Sequence, residues 1–294
     1  MTQPTLLIIG AAGNNGTATL DALVRKHKGN FIVRAGVRSE AKAKALRDKF
    51  PGIETTILDL DQPATLAAAF KGVDKLFLIL GNVENREEQA RNAIDAAVAA
   101  GTVKHVLFYS VFGAEYESIL FGRQFRAGEK YLEASGLSWT HLRTIFFQEN
   151  LPGWADGIKQ GAFYFGIREG RFAPLNVGDI GEIAANILCS AGHEGKAYAI
   201  TGPELLSGQD FARTFTDITG KPVQYVSPDE ATTLGSLLGA GWPEWQAKGM
   251  LELFEVFATN QAAVVSPDGE RLLGRPLTTL RTYLEANKAV FVQV

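Results

Sequence analysis

The segment that most restricts how this chain can fold is Leu6-Leu7-Ile8-Ile9, followed at once by Gly10-Ala11-Ala12-Gly13-Asn14-Asn15-Gly16. The apolar run reads as a short buried strand, and the three glycines that break it lead into a helix. Gly10 permits a sharp turn out of the strand, Gly13 lets the backbone approach a pyrophosphate, and Gly16 lets the helix lie close on the sheet. The helix start, with Ala11, Ala12, Asn14 and Asn15 around it, offers unpaired N–H groups and a positive dipole end to an anion. A loop of this kind is built to hold phosphate.

The first half of the chain continues the same alternation. Strands are expected at Leu6–Ile9, Phe31–Val37, Glu54–Asp59, Lys75–Leu80, Val106–Ser110 and Trp139–Arg143. Helices are expected at Asn15–Lys28, Ala41–Phe50, Pro63–Phe70, Asn85–Ala100 and Arg126–Ser135. Strand–helix alternation implies a Rossmann-like α/β fold, a doubly wound parallel sheet covered on both faces by right-handed crossovers. Ligands then sit at the carboxyl ends of the strands, where Gly10, Arg38, Asp59, Leu80 and Ser110 fall. After Asn150 the texture changes, with Gly, Pro and aromatic residues dominating Leu151–Pro174. The expected division is a dinucleotide-binding domain over 1–150, to whose sheet 177–201 returns through a helix near Asp179 and a strand at Ala197–Thr201. The rest of 151–294 is expected to form a smaller mixed α/β substrate-binding region, with helices around Gln209–Thr219 and Glu244–Phe257.

Composition removes several functional classes. A net charge of −3 over 294 residues gives no electrostatic reason for a nucleic acid or an anionic membrane as partner. No uncharged apolar run is long enough to span a bilayer, and no basic n-region precedes Thr5–Ile9. The single cysteine, Cys189, excludes an internal disulfide framework and zinc clusters, fits a reducing cytoplasm, and lies in an apolar run as a small core residue. No metal is expected, and any oligomer is expected to be a homodimer.

The end of the second strand decides between nucleotides. An acidic residue there would take a ribose 2′-hydroxyl, whereas arginine accommodates a 2′-phosphate. This chain has Val37-Arg38-Ser39, with Lys42 a turn later. The guanidinium fork suits phosphate and Ser39 adds a hydroxyl, so NADP(H) is favoured although Glu40 is a counter-signal. Asp59, with Leu60 beside it, either accepts from the adenine amino group or caps the turn before Pro63. Leu80-Gly81-Asn82 ends the fourth strand, where glycine would let the backbone pass the nicotinamide-side ribose.

These residues resemble a family. The G-x-x-G-x-x-G spacing points to relatives of the short-chain dehydrogenases. Asp59-Leu60-Asp61-Gln62-Pro63 through Phe70-Lys71-Gly72-Val73-Asp74-Lys75-Leu76-Phe77-Leu78-Ile79 is similar to the NmrA-like branch of atypical short-chain dehydrogenases. So are Ala97-Ala100-Gly101-Val103-Lys104-His105-Val106 and Ser135 to Arg143, running on to Glu149-Asn150. Gly192-His193-Glu194-Gly195-Lys196-Ala197-Tyr198 and Leu273-Gly274-Arg275-Pro276-Leu277-Thr278-Thr279-Leu280 are similar to later segments of the NAD(P)H:quinone oxidoreductase type. The resemblance implies that Gly10 through Asn15 cradle the pyrophosphate and that Arg38 holds the 2′-phosphate. It also implies that Leu80 through Asn82, and the segment with Phe147, Glu149 and Asn150, flank the nicotinamide. Asn150 is equally readable as a turn residue before Pro152.

Ordinary short-chain dehydrogenases use a Tyr-x-x-x-Lys pair as their acid. In the matching helix here, Phe121 and Phe125 stand where the tyrosine and lysine would be. Ser110 occupies the place of the catalytic serine, yet reads as well as a hydroxyl that satisfies a strand end, and Tyr116 is the other weak catalytic candidate. Hydride transfer to a ketone leaves a strongly basic alkoxide that must be protonated with assistance. Transfer to a quinone leaves a phenolate, whose conjugate acid has a pKa of about 10, and water can protonate that. The absent pair therefore points to an NADPH-dependent reductase of a planar conjugated acceptor. Phe112, Phe121, Phe125 and Trp154 are candidates to stack it, with an ordinary core role as the alternative for each. The same absence suits an NADP(H)-binding redox-sensing regulator, or an isomerase or cyclase that keeps the cofactor without net turnover.

Overall fold

The computed structural model describes residues 3–292. Its first half runs β1 (Thr5–Ile9), α1 (Asn14–Lys26), β2 (Ile32–Val37), α2 (Glu40–Lys49), β3 (Glu54–Ile57) and α3 (Leu66–Phe70). It continues through β4 (Lys75–Leu78), α4 (Arg86–Ala100), β5 (His105–Val111), α5 (Leu120–Ala134) and β6 (Trp139–Thr144). Then come α6 (Ala155–Lys159), β7 (Ala162–Tyr164), β8 (Arg171–Phe172), α7 (Val177–Cys189), β9 (Lys196–Ile200), β10 (Leu206–Ser207), α8 (Gly208–Thr219) and β11 (Gln224–Val226). Helices α9 (Glu230–Gly239), α10 (Glu244–Ala258), α11 (Asp268–Leu273), α12 (Leu280–Ala286) and α13 (Lys288–Phe291) follow.

Two compact units result. The first takes the stretch up to Ser118 together with Gly122–Thr144 and Val177–Ala199; the second takes Ile119–Phe121, Ile145–Asn176 and the stretch from Ile200 on. The central sheet has the order β3-β2-β1-β4-β5-β6-β9. Strands β1 to β6 pair in parallel throughout, as the Rossmann-like reading requires. Strand order reverses between β1 and β4, so their carboxyl ends open the crevice at the topological switch point. All five residues of β1 are buried, because helices cover both faces of a parallel sheet. One apolar layer joins Leu7, Ile9, Leu76, Leu78, Val106, Phe108 and Phe125 with Phe70, Ala90 and Ile94.

Helix α1 meets α7 backbone to backbone. A Cβ on Gly181 would lie 2.4 Å from the carbonyl carbon of Ala18. The Lys26 ammonium pairs with Glu182, and a ring nitrogen of His27 bonds the Asn186 amide oxygen at 3.0 Å.

Some boundaries differ from those the sequence suggests. Helix α5 begins at Leu120, six positions before the expected Arg126. The Glu252 carboxylate accepts a hydrogen bond from the Leu120 N–H, a cap supplied by a residue far along the chain that local propensity does not register. Strands β3 and β4 stop at Ile57 and Leu78 rather than Asp59 and Leu80, although the Leu58 and Ile79 N–H groups still reach neighbouring strands at 3.0 and 3.3 Å. Pro63–Thr65 is a 3₁₀ turn that precedes α3 instead of joining it, and α6, α9, α11, α12 and α13 lie outside the helices the sequence predicts.

The second unit is built on aromatic rings. Phe172 stacks on Phe257 at 4.3 Å, Phe163 on Phe165 at 5.5 Å, and Phe254, Phe211 and Phe215 meet them edge-on or tilted.

Within the sheet, the Thr140 hydroxyl donates to the His193 carbonyl at 2.6 Å, so His105 Nε2, 2.9 Å from Thr140 Oγ1, must carry a proton and donate to it. Burial, with Lys75 nearby, pushes the His105 pKa from 6.5 down to about 4. The unfolded chain then binds a proton that the folded chain refuses, so stability falls as pH drops from 6.5 towards 4. Urea unfolding across that window should show a loss on the order of 2 kcal/mol, which His105→Gln should flatten. Gly181→Val should lower stability by about 1–3 kcal/mol through its clash with Ala18, read as a shift in the urea midpoint.

Candidate functional site

The glycine loop turns between β1 and α1 with little space on its inner side. Gly10 has φ +78°, and a Cβ there would lie 2.6 Å from the Ile79 carbonyl oxygen. On Gly16 it would lie 2.4 Å from the Gly10 carbonyl oxygen, so both positions accept only hydrogen. Gly13 differs, because its Cβ would meet nothing nearer than 3.4 Å and the residue faces outward. It caps α1 with no side-chain hydrogen bond, leaving the first-turn N–H groups without a side-chain acceptor. Asn15 Oδ1 is buried with no partner. A bare backbone concavity with an unsatisfied amide oxygen fits a pyrophosphate and its sugar hydroxyls. Ala12, Gly13 and Asn14 are exposed and Ala11 is buried.

Arg38 and Ser39 follow β2 and are exposed. Among the described residues Arg38 makes no hydrogen bond or ion pair, whereas the Glu40 carboxylate is held by Arg47. The acidic counter-signal is therefore already occupied. Ser39 Oγ caps α2 by accepting from the Lys42 N–H at 3.4 Å. Asp59 is engaged in its own turn, accepting from the Asp61 N–H at 3.1 Å and from Gln62 Nε2 at 3.2 Å. These are the bonds of the turn-capping alternative. Leu60 is buried and its carbonyl accepts from Asn92 at 2.8 Å.

Next along the sheet edge, Leu80 is buried while Gly81 and Asn82 are exposed. A Cβ on Gly81 would find its nearest neighbour 4.0 Å away, so this backbone has an open side. Residues that sequence reasoning missed fix the loop. Gln89 Nε2 and Asn85 Nδ2 donate to Asp61 at 2.8–3.0 Å, and these two amides hold the Asp61 carboxyl below its usual range. Buried Arg86 donates to the Gly81 carbonyl and to Asn82 Oδ1. Asp61 recurred in the Asp-x-Asp pattern of the strand end, but nothing local marked Arg86.

Ser110 ends up fully buried. Its hydroxyl helps to lower the pKa of Glu129, although no well-formed hydrogen bond closes on it. Glu129 is itself buried. Desolvation alone would raise its pKa, but hydrogen bonds from Arg143 at 2.7 and 2.9 Å, with His141 nearby, outweigh that and hold the carboxyl below its usual range. Arg126 bridges Glu129 and Glu133, His141 meets Glu133 at 3.1 Å, and Arg143 also reaches Glu115 at 2.8 Å. Glu129, Glu133 and His141 bring one ligand atom each within 4.8 Å of one another, but two guanidinium groups already hold those carboxylates. Tyr116 lies on a surface turn, 75% exposed. Phe112 is half-buried, its N–H bonded to the Thr144 carbonyl at 2.8 Å. Phe125 is 6% exposed, with Phe108 on its edge and the Arg86 guanidinium over its ring.

The remaining candidates belong to the second unit. Phe147 and Glu149 are half-buried and Asn150 exposed, in a 3₁₀ stretch over Gln148–Trp154. Asn176 donates to Glu149 at 2.8 Å, and burial with Glu149 nearby pushes Tyr283 up to about 12. Trp154 meets Phe146, Phe163 and Phe165. Phe121 packs beside Gly249, where a Cβ would lie 3.0 Å from its ring. Cys189, at the end of α7 in the first unit, is half-buried, and burial raises its thiol pKa.

Removing one member of a buried charge network leaves its partners unpaired. Glu129→Gln should cost about 3–5 kcal/mol, measured by chemical denaturation near neutral pH. Because the folded pKa is depressed, this stabilisation is present above the ordinary carboxylate range and is lost as pH falls through the folded value. The gap between wild type and variant should therefore narrow in acid.

The NmrA-like family profile matches residues 2–284. The chain is 33% identical over 288 residues to the NAD(P)H azoreductase of Xenophilus azovorans, covering 97% of this chain and 99% of that one. It is also 33% identical over 278 residues to quinone oxidoreductase 2 of Escherichia coli, covering 94% and 96%. The crystal structure of the Escherichia coli NADPH-dependent quinone oxidoreductase with NADPH superposes with a TM-score of 0.88 at 30% identity, over 96% of this chain and 99% of that one. The Citrobacter triphenylmethane reductase complexed with NADP(H) gives 0.87 at 26% identity, with the same coverages. Among the described residues no helix is long and apolar enough to cross a membrane.

Proposed function

The chain belongs to the NmrA-like family, and on that premise we propose that it is an NADPH-dependent reductase of quinone-like or other planar conjugated acceptors. The observation that carries this is the open backbone cradle at Gly10–Gly16 with Arg38 unengaged at the end of β2. The relatives support the class, since an azo dye, a quinone and a triphenylmethane dye are all conjugated. In this reading the first unit binds NADP(H) and the second provides the acceptor-binding region.

The loop amides and the α1 N-terminus bind the pyrophosphate. Arg38 takes the 2′-phosphate, with the Ser39 hydroxyl still free to donate while its oxygen caps α2. Gly81 gives the nicotinamide-side ribose a close approach. Bound NADPH supplies the hydride. The chain contributes position and exclusion of water rather than acid catalysis. Ser110 is fully buried, and α5 offers no Tyr-x-x-x-Lys. A hydroquinone-type product tolerates that, since its anion takes a proton from water at a pKa of about 10.

Purified protein mixed with NADPH and a panel of quinones and azo dyes should consume the reduced nicotinamide. Tight NADPH binding without consumption above the protein-free rate would overturn the reductase in favour of a sensor. Arg38→Ala should weaken NADPH binding by ~10–100-fold and NADH binding little, as expected for a charge-assisted hydrogen bond to phosphate. Equal losses for both nucleotides in a fluorescence titration would remove Arg38 from its role.

A further inference from the structure

Arg86 is the largest fully buried side chain among the described residues, and its donors converge on one short loop. Nε donates to the Gly81 carbonyl at 3.1 Å and Nη2 to Asn82 Oδ1 at 3.2 Å. Nη1 donates to Gln124 Oε1 on α5, and the guanidinium carbon lies over the Phe125 ring, 4.4 Å from its centre. The same Gln124 returns its Nε2 to the Glu84 carbonyl at 3.1 Å. The loop from β4 to α4 is therefore held at Gly81, Asn82 and Glu84 by one fork and one amide.

The chemistry of these contacts is specific. A buried guanidinium loses solvation, and burial brings the Arg86 pKa down to about 10, still well above neutrality. It stays a donor-only group in a rigid planar array. Two of these acceptors belong to the loop and the third ties it to α5, while the open side of Gly81 and the exposed Asn82 face outward. On the far side of α4's first turn, Asn85 and Gln89 tie the same segment to Asp61, whose carboxylate Arg38 influences electrostatically.

We propose that Arg86 is a positioning residue, fixing the Gly81–Asn82 backbone as the surface against which the nicotinamide end of NADPH is placed. This rests on the reading above that the dinucleotide runs along the carboxyl ends of β1 and β4. The affinity-bearing groups, the glycine loop and Arg38, lie elsewhere, so Arg86 governs geometry more than affinity. Misplacing the reacting atoms by about 1 Å costs on the order of 100-fold in rate.

The test compares wild type with Arg86→Met, which keeps the stem and removes the fork, with Arg86→Lys, and with Gln124→Leu. Hydrogen exchange of peptides spanning 79–85 is read with and without NADPH, NADPH dissociation by fluorescence, and kcat with a quinone. Without NADPH, Arg86→Met should exchange roughly 10-fold faster across 79–85, because the loop opens locally. Its NADPH dissociation constant should stay within ~3-fold of wild type while kcat falls ~30-fold, the pattern of lost geometry rather than lost affinity. Arg86→Lys should not rescue kcat, since an ammonium cannot replace the planar fork. If Arg86→Met does not fold, Gln124→Leu should show the same pattern more weakly.

Unchanged exchange across 79–85, or an unchanged kcat, overturns the proposal. So does NADPH that protects 10–16 but leaves 80–82 exchanging as before. Should wild type reduce no acceptor at all, the reductase reading fails by itself. The exchange and binding measurements then still decide whether Arg86 orders the loop beneath the bound cofactor.

Discussion

Helix α1 is clamped between two stretches of backbone. On one side Gly16 lies against Gly10 and Ala11, and on the other Ala18 lies against Gly181. Nothing larger than the Ala18 methyl lies at either contact, so the helix has little room to slide or tilt. Its N-terminus is where the phosphate-binding amides emerge, and they inherit that rigidity. A helix packed through long side chains would repack around small shifts. This one would clash, because packed interiors resist volume changes of even a methyl group.

The polar groups of the first unit are treated in two contrasting ways. Around Glu129 and Arg143, buried charges are matched by opposite charges, and Arg126, Glu133 and His141 extend the network. Such an arrangement is costly to break and only weakly stabilising as a whole, so its plain effect is to fix α5 against β6. Arg86 instead meets carbonyl and amide oxygens and an aromatic face. Such acceptors give direction, which suits a residue that shapes a loop. The second unit dispenses with buried charge at its centre and relies on stacked and edge-on phenylalanines.

What could be read from the sequence was local and periodic. Apolar runs bounded by glycines placed β1, β2, β5 and β6 within a residue or two, and the alternation with alanine-rich helices implied the parallel sheet, whereas the strand order came from the structure. What could not be read depended on partners distant in the chain. The start of α5 is set by Glu252, more than a hundred positions later. Nothing local in the sequence marks Arg86 or Gln89, and only the fold turns them inward onto Gly81 and Asp61. At Asp59 the sequence left two roles open, and the hydrogen bonds to Asp61 and Gln62 describe the turn. Of the aromatic residues proposed to meet a flat acceptor, Phe125 and Trp154 have rings or a guanidinium on their faces, a circumstance that composition does not disclose.

The Arg86–Phe125 contact also bears on how such a protein can diverge. The resemblance to short-chain dehydrogenases sets position 125 where a lysine would complete their acid pair. Here the ring at that position supports a buried cation from α4. An ammonium introduced at 125 would confront the guanidinium across a dry gap, and like charges in such surroundings repel strongly. The two positions are therefore epistatic. A lysine at 125 and Arg86 in its present place exclude each other, and the acid pair could be completed there only if the arginine first left the ring.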